Sequence, residues 1–123
     1  MTRIAILSVP VSDQQRAMEF YTRILGFTVV RDNPMGPDQR WVQLCPPGGG
    51  TSITLVTWFT SMPPGSLSGT VLETDDIKTD HHRLCEHGLA ISALEDAPWG
   101  LYATFNDPDG NGWVLQQTSA KRE

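Results

Sequence analysis

Cysteine is scarce: only Cys45 and Cys85 occur in 123 residues, and they form no CxxC pair. That excludes a disulfide framework and a structural zinc site, fits a reducing compartment, and leaves both thiols to be read as small buried hydrophobes. Long apolar runs are missing too. The longest are strand-sized, such as Ile4-Ala5-Ile6-Leu7, well short of the roughly 20 residues a membrane-crossing helix needs, and Met1-Thr2-Arg3 does not open a signal peptide. The expectation is a soluble cytoplasmic protein with no membrane partner. No basic stripe appears either: the formal net charge of -5 is spread along the chain, which argues against nucleic acid as a partner. Gly-x-Ser-x-Gly, a phosphate-binding loop and a dinucleotide fingerprint are all absent, and Cys45 has no histidine near it in sequence. Hydride transfer, phosphoryl transfer and nucleophilic catalysis therefore have no support.

What is present is enough for one domain with its own core, since 39% of residues are hydrophobic and 19% charged. Arg3 to Val11 reads as a strand closed by Pro10 and the helix-capping pair Ser12-Asp13. From Asp13 to Leu25, apolar Ala17, Met18, Tyr21, Ile24 and Leu25 recur at three- and four-residue spacing, and Gly26 supplies a left-handed stop. Strands follow at Phe27 to Arg31, Arg40 to Leu44 and Ser52 to Trp58. Residues 61–68 (SMPPGSLS) form a linker. The same order then returns: strand Thr70 to Glu73, cap Thr74-Asp75-Asp76, a helix through His87, stop Gly88, and strands from Leu89, Leu101 and Trp113.

A shift of 62 residues lays Asp13 on Asp75, Gly26 on Gly88, Phe27 on Leu89 and Val29 on Ile91. This is an internal repeat. The fold it predicts is α+β: a single domain over 1–123 made of two βαβββ halves, about 1–60 and 69–119, whose curved mixed sheets pair through a shared core. Their curved faces would enclose a cup suited to a small molecule.

The stretches VSDQQRAMEFYTRILGF at 11–27, TDDIKTDHHRLCEHG at 74–88 and WGLYATFNDPDGNGWVLQQ at 99–117, in this order, resemble the vicinal oxygen chelate superfamily. That group contains glyoxalase I, bleomycin-resistance proteins and extradiol dioxygenases. The likeness covers almost the whole chain and implies the paired-sheet fold and a homodimer. It does not by itself fix a function, because the fold hosts lyases, dioxygenases, epimerases and drug-sequestering proteins.

In the metal-dependent members the resemblance implies four His, Glu or Gln ligands, one from the first and one from the last strand of each half. Those positions fall here on Ile6, Thr54, Gly69 (or Ser68 in a register shifted by one) and Val114. Imidazole and carboxylate donors are replaced by hydrocarbon, hydroxyl or nothing, so no metal ligand is assigned and no cofactor is expected. His81, His82 and His87 all lie on or at the end of the second helix, where His82 and Glu86, four apart, read as a solvated face.

Strand alternation groups Ser8 with Ile6, Val71 and Glu73 with Gly69, and Gln116 with Val114. The predicted ligand-binding set is Ser8, Thr54, Val71, Glu73, Val114 and Gln116, joined by Trp41, Trp58 and Trp99, whose rings could stack on a planar ligand. Glu73 is the one ionisable member, a candidate to orient a cationic or hydroxylated ligand, or to act as general base if burial raised its pKa. The expected function is binding of a small hydrophobic or aromatic molecule in the cup without the usual metal. The alternative is a metal-dependent lyase or dioxygenase using non-standard ligands.

Asp107-Pro108-Asp109-Gly110-Asn111-Gly112 begins like a calcium-binding loop, but the twelfth position, where a bidentate Glu is required, is Thr118. A strand follows rather than a helix. The segment reads as a tight turn with Pro fixing φ and Gly free to take positive φ.

Overall fold

In the computed structural model, which describes residues 1–119, each half folds as strand, helix and three strands. The first comprises β1 (Ile6–Pro10), α1 (Gln14–Glu19) continued by a π-helical turn (Phe20–Ile24), β2 (Thr28–Pro34), β3 (Arg40–Cys45) and β4 (Ser52–Val56). The second comprises β5 (Thr70–Glu73), α2 (Ile77–Glu86), β6 (Glu95–Ala97), β7 (Gly100–Asn106) and β8 (Gly112–Thr118). The strands form two four-stranded sheets, ordered β1-β4-β3-β2 and β5-β8-β7-β6. In each, the first strand runs parallel to the last and the remaining pairs are antiparallel. The fold is thus α+β with two mixed sheets.

The chain divides into two compact units that do not quite follow sequence order. Met1–Leu67 is completed by Pro108–Asn111, while the second unit takes Ser68–Asp107 and, of the described residues, 112–119. The borrowed turn is bound firmly into the first unit. Asn111, fully buried, donates from Nδ2 to the Pro10 carbonyl at 2.8 Å and accepts from the Leu67 N–H at 3.1 Å. Asp109 accepts from the Ser12 hydroxyl at 2.6 Å and the Ser12 N–H at 3.2 Å. Gly65 approaches so closely that a Cβ there would lie 2.3 Å from the Asp109 carbonyl oxygen.

Each core is the buried parity of a sheet with one helix on it. In the first unit Val9, Val42, Leu44 and Leu55 are buried, as are Ala17, Tyr21 and Leu25 of the helical segment. In the second, Ala103, Phe105, Trp113 and Leu115 are buried with Ile77 and Leu84, and the Phe105 and Trp113 rings stack 6.5 Å apart. Each Val, Leu, Ile or Phe side chain among them stabilises by roughly 1.5–3 kcal/mol.

Asp13 caps α1 by accepting from the Arg16 N–H, and Asp76, not Asp75, caps α2 by accepting from the Thr79 N–H. The glycine stops Gly26 and Gly88 both take positive φ, 76° and 84°. After α2 the Leu89 N–H bonds to the Leu84 carbonyl and the Gly88 N–H to the Cys85 carbonyl, a Schellman closure. The first helix has one more residue between cap and stop, and the π-helical turn absorbs it: the Leu25 N–H reaches the Phe20 carbonyl five residues back. The repeat therefore has two registers. A shift of 63 relates Ile6 to Gly69, Ser8 to Val71 and Asp13 to Asp76, and a shift of 62 holds only after the π turn.

Several expected boundaries are corrected. No strand begins at Leu89; Ile91 makes a single bridge to Phe105, and the next strand starts at Glu95. The reason lies at Ser92, whose hydroxyl accepts the Thr104 N–H at 2.9 Å and so takes the place of a ladder carbonyl. The fourth strand stops at Val56, leaving Trp58 outside it. Cys85 is exposed rather than buried. Among the described residues no helix is long and apolar enough to cross a membrane.

Candidate functional site

Because each helix covers one face of its sheet, the candidate residues are those of the opposite parity. In the second unit Gln117 marks the helix side, its Oε1 accepting the Ile77 N–H at 2.9 Å. Its neighbour Gln116 must then point the other way. Register partners carry that face across all four strands: Glu73 opposite Gln116, Gln116 opposite Tyr102, and Tyr102 opposite Glu95. The adjacent row is Val71, Val114 and Thr104. The Trp99 ring stacks on Tyr102 with centroids 5.3 Å apart and keeps 41% of its surface exposed.

Glu73 is fixed in this row. Its carboxylate accepts from Gln116 Nε2 and the Thr118 N–H, both at 2.8 Å, and from the Thr118 hydroxyl at 3.0 Å. Burial pushes its pKa up, but the bonds from the Thr118 N–H, the Gln116 amide and the Thr118 hydroxyl outweigh it, and the group is held below its ordinary value. That favours a carboxylate that stays ionised and orients a ligand, and works against a proton-accepting base near neutral pH.

In the first unit Ser8 and Thr54 are register partners, and Thr54 faces Gln43 on the next strand. Trp41 shares the parity of Gln43 and donates from Nε1 to its Oε1 at 3.1 Å. Thr54 is buried, and its hydroxyl donates to the Val42 carbonyl at 3.1 Å. Trp58 lies apart from these, beyond β4, with its ring near Phe59 at 6.1 Å. Each sheet thus gathers its own predicted residues on one face, Trp58 excepted.

A model of the Glyoxalase/Bleomycin resistance protein/Dioxygenase superfamily matches residues 3–115. The chain belongs to that superfamily. It is 47% identical to TnmS3, an antibiotic binding protein from Streptomyces sp. CB03234, with a TM-score of 0.91, covering 97% of this chain and 98% of that one. A glyoxalase/bleomycin resistance protein from the same organism is 49% identical with a TM-score of 0.84, covering 94% and 100%. YetH of Bacillus subtilis (strain 168) is 32% identical over 119 residues, 94% of this chain and 98% of that protein.

Superfamily membership makes the four metal-ligand positions testable against side-chain chemistry. They are equivalent by register: β1 pairs Ser8 with Thr54 as β5 pairs Val71 with Val114, so Ile6 and Gly69 lie two residues before the paired position in each unit. Ile6 and Val114 offer no side-chain lone pair, Gly69 has no side chain, and the Thr54 hydroxyl, whose proton goes to the Val42 carbonyl, is a neutral oxygen and a weak ligand. Ser68 in the shifted register adds one more hydroxyl. Such a set does not fit a divalent cation, which needs three or four converging N, O or S donors. Among the described residues no group of three or more His, Cys, Asp or Glu gathers elsewhere. His82 and Glu86 form an exposed pair at 3.4 Å, and His81 donates from Nε2 to the Ser92 carbonyl at 2.7 Å.

Tyr102, Glu95, Thr104 and Gln43 belong to these faces and were not among the expected residues. Strand alternation in GLYATFN would have found Tyr102 and Thr104, since Ala103 and Phe105 face the core. Glu95 carried no signal, being in a three-residue strand, EDA, without an apolar alternation.

Proposed function

We propose that this chain binds a small hydrophobic or aromatic molecule of the antibiotic kind, without a resident divalent metal, as a sequestration or resistance protein of the cytoplasm. The observation that carries the reading is the 47% identity over 97% of the chain to a protein named for antibiotic binding. The face around Trp99 and Tyr102 supports it. Stacked rings, hydrocarbon from Val71 and Val114, and a few oriented polar groups are what a planar ligand needs. The side chains at Ile6, Thr54, Gly69 and Val114 favour binding over metal-assisted lyase or dioxygenase chemistry. By family likeness we further propose a homodimer, which sedimentation at micromolar concentration tests.

The test is a thermal-shift and tryptophan-fluorescence screen of planar aromatic antibiotics, neutral and charged, on protein whose metal content has been measured after dialysis. A binder raises the apparent melting temperature. Trp99→Ala should weaken it by about tenfold, equivalent to roughly 1.4 kcal/mol. Stoichiometric nickel, zinc, manganese or iron retained through dialysis would sink the metal-free reading, and unchanged affinity in Trp99→Ala would remove the ligand from this face.

A further inference from the structure

Trp99, Tyr102, Glu73 and Glu95 place exposed aromatic surface and two carboxylates in one row of the second sheet. The row is chemically one-sided. Strands β5 to β8 contain no Lys, Arg or His, and the basic side chains described in this unit, Lys78, His81, His82, Arg83 and His87, all lie on α2 or at its end. That helix packs against the other face, as the bond from the Ile77 N–H to Gln117 establishes. The negative charge of the row therefore has no cation from its own strands beside it. Glu73 and Glu95 stand on the two edge strands with Gln116 and Tyr102 between them; Glu73 already accepts three bonds from Gln116 and Thr118, whereas Glu95 is exposed and directly neighbours Tyr102. A π-face adjoining a carboxylate attracts a protonated amine in two ways at once, through the ring quadrupole and through a charge-assisted hydrogen bond.

Resting on the small-molecule reading above, we infer that the molecule bound on this face is a planar aromatic carrying a protonated amine, its rings on Trp99 and its ammonium on Glu95, the carboxylate next to Tyr102. A neutral aromatic would use the stack and leave the carboxylates merely solvated. An anionic one would be repelled.

The matched pair daunorubicin and N-acetyldaunorubicin tests this, because both carry the same fused rings and only the first is charged. Fluorescence titration at low salt should show daunorubicin binding on the order of tenfold more tightly, with the advantage shrinking as salt is raised. Glu95→Gln should remove most of that advantage, Glu73→Gln, two strands from Tyr102, should remove less of it, and Trp99→Ala should weaken both compounds. Glu95 is exposed, so its variant serves even if Glu73→Gln perturbs the sheet. Equal affinity for the two compounds, or binding confined to neutral aromatics of the screen, overturns the amine inference and leaves small-molecule binding intact. Failure of the whole screen overturns both.

Discussion

At the scale of single residues, bonding rather than exposure sets the chemistry of Glu73. Desolvation alone would raise its pKa, yet three donors from Gln116 and Thr118 carry the balance the other way. The linkage sign follows. A carboxyl whose folded pKa lies below its unfolded value stabilises the fold above the unfolded value, near 4.3 for Glu. That stabilisation disappears as pH falls through the lower folded value. Asp32 contributes in the same direction, its pKa lowered chiefly by its hydrogen bonding with Arg40, at 2.7 Å to each oxygen. Melting temperatures measured from pH 7 to pH 3 should fall below about pH 4.3, and fall less steeply in Glu73→Gln than in the parent. Identical pH profiles for the two would show that Glu73 is not held by these bonds.

Among the elements, the first helix carries the clearest record of the repeat's history. Its π turn holds one residue more than the cap-to-stop span of α2 requires, and Arg23 within it is exposed. Deleting Arg23 should let the segment close as ordinary α-helix with Asp13, Tyr21, Leu25 and Gly26 in place, changing the melting temperature by only a few degrees. Deleting Arg83 from α2, which has no residue to spare, should turn Leu84 off the core and cost several kcal/mol. Circular dichroism melts of the two deletions read the contrast, and a large loss in the Arg23 deletion would contradict it. This also marks how far the sequence could be read. Caps, stops and strand order were legible because Asp13, Gly26, Asp76 and Gly88 have local physical causes, a side-chain bond or a positive φ. The π turn was not, since i to i+4 and i to i+5 bonding leave nearly the same apolar spacing. The false strand at Leu89 has a similar origin, because nothing in the pattern reveals that the Ser92 hydroxyl replaces a backbone carbonyl. Within the candidate site, alternation grouped Ser8 with Ile6, Glu73 with Gly69 and Gln116 with Val114 strand by strand, whereas the cross-strand pairings of Ser8 with Thr54, Glu73 with Gln116 and Tyr102 with Glu95 depend on sheet register, which the chain encodes only through its long-range pairing.

At the scale of the whole molecule, the chain's two units are interleaved rather than consecutive. Pro108–Asn111 supplies the first unit with acceptors for Ser12 and Leu67 and a donor for the Pro10 carbonyl. A fragment of residues 1–67 keeps the whole first sheet but loses Asn111 from a fully buried position. The fragment alone should melt well below the intact chain by circular dichroism, because the buried Pro10 carbonyl loses the 2.8 Å bond from Asn111 and keeps only the 3.4 Å one from the Gly65 N–H. A sharp melt close to that of the intact chain would refute this. The same interleaving fixes a timetable during synthesis. The first unit's last contiguous residue leaves the ribosome before all of Ser68–Asp107, and at roughly 5–20 residues per second the missing turn follows some seconds later. Through that interval the β1 to α1 junction waits with the Pro10 carbonyl holding only the Gly65 N–H and Ser12 without Asp109, so the half made first is finished almost last.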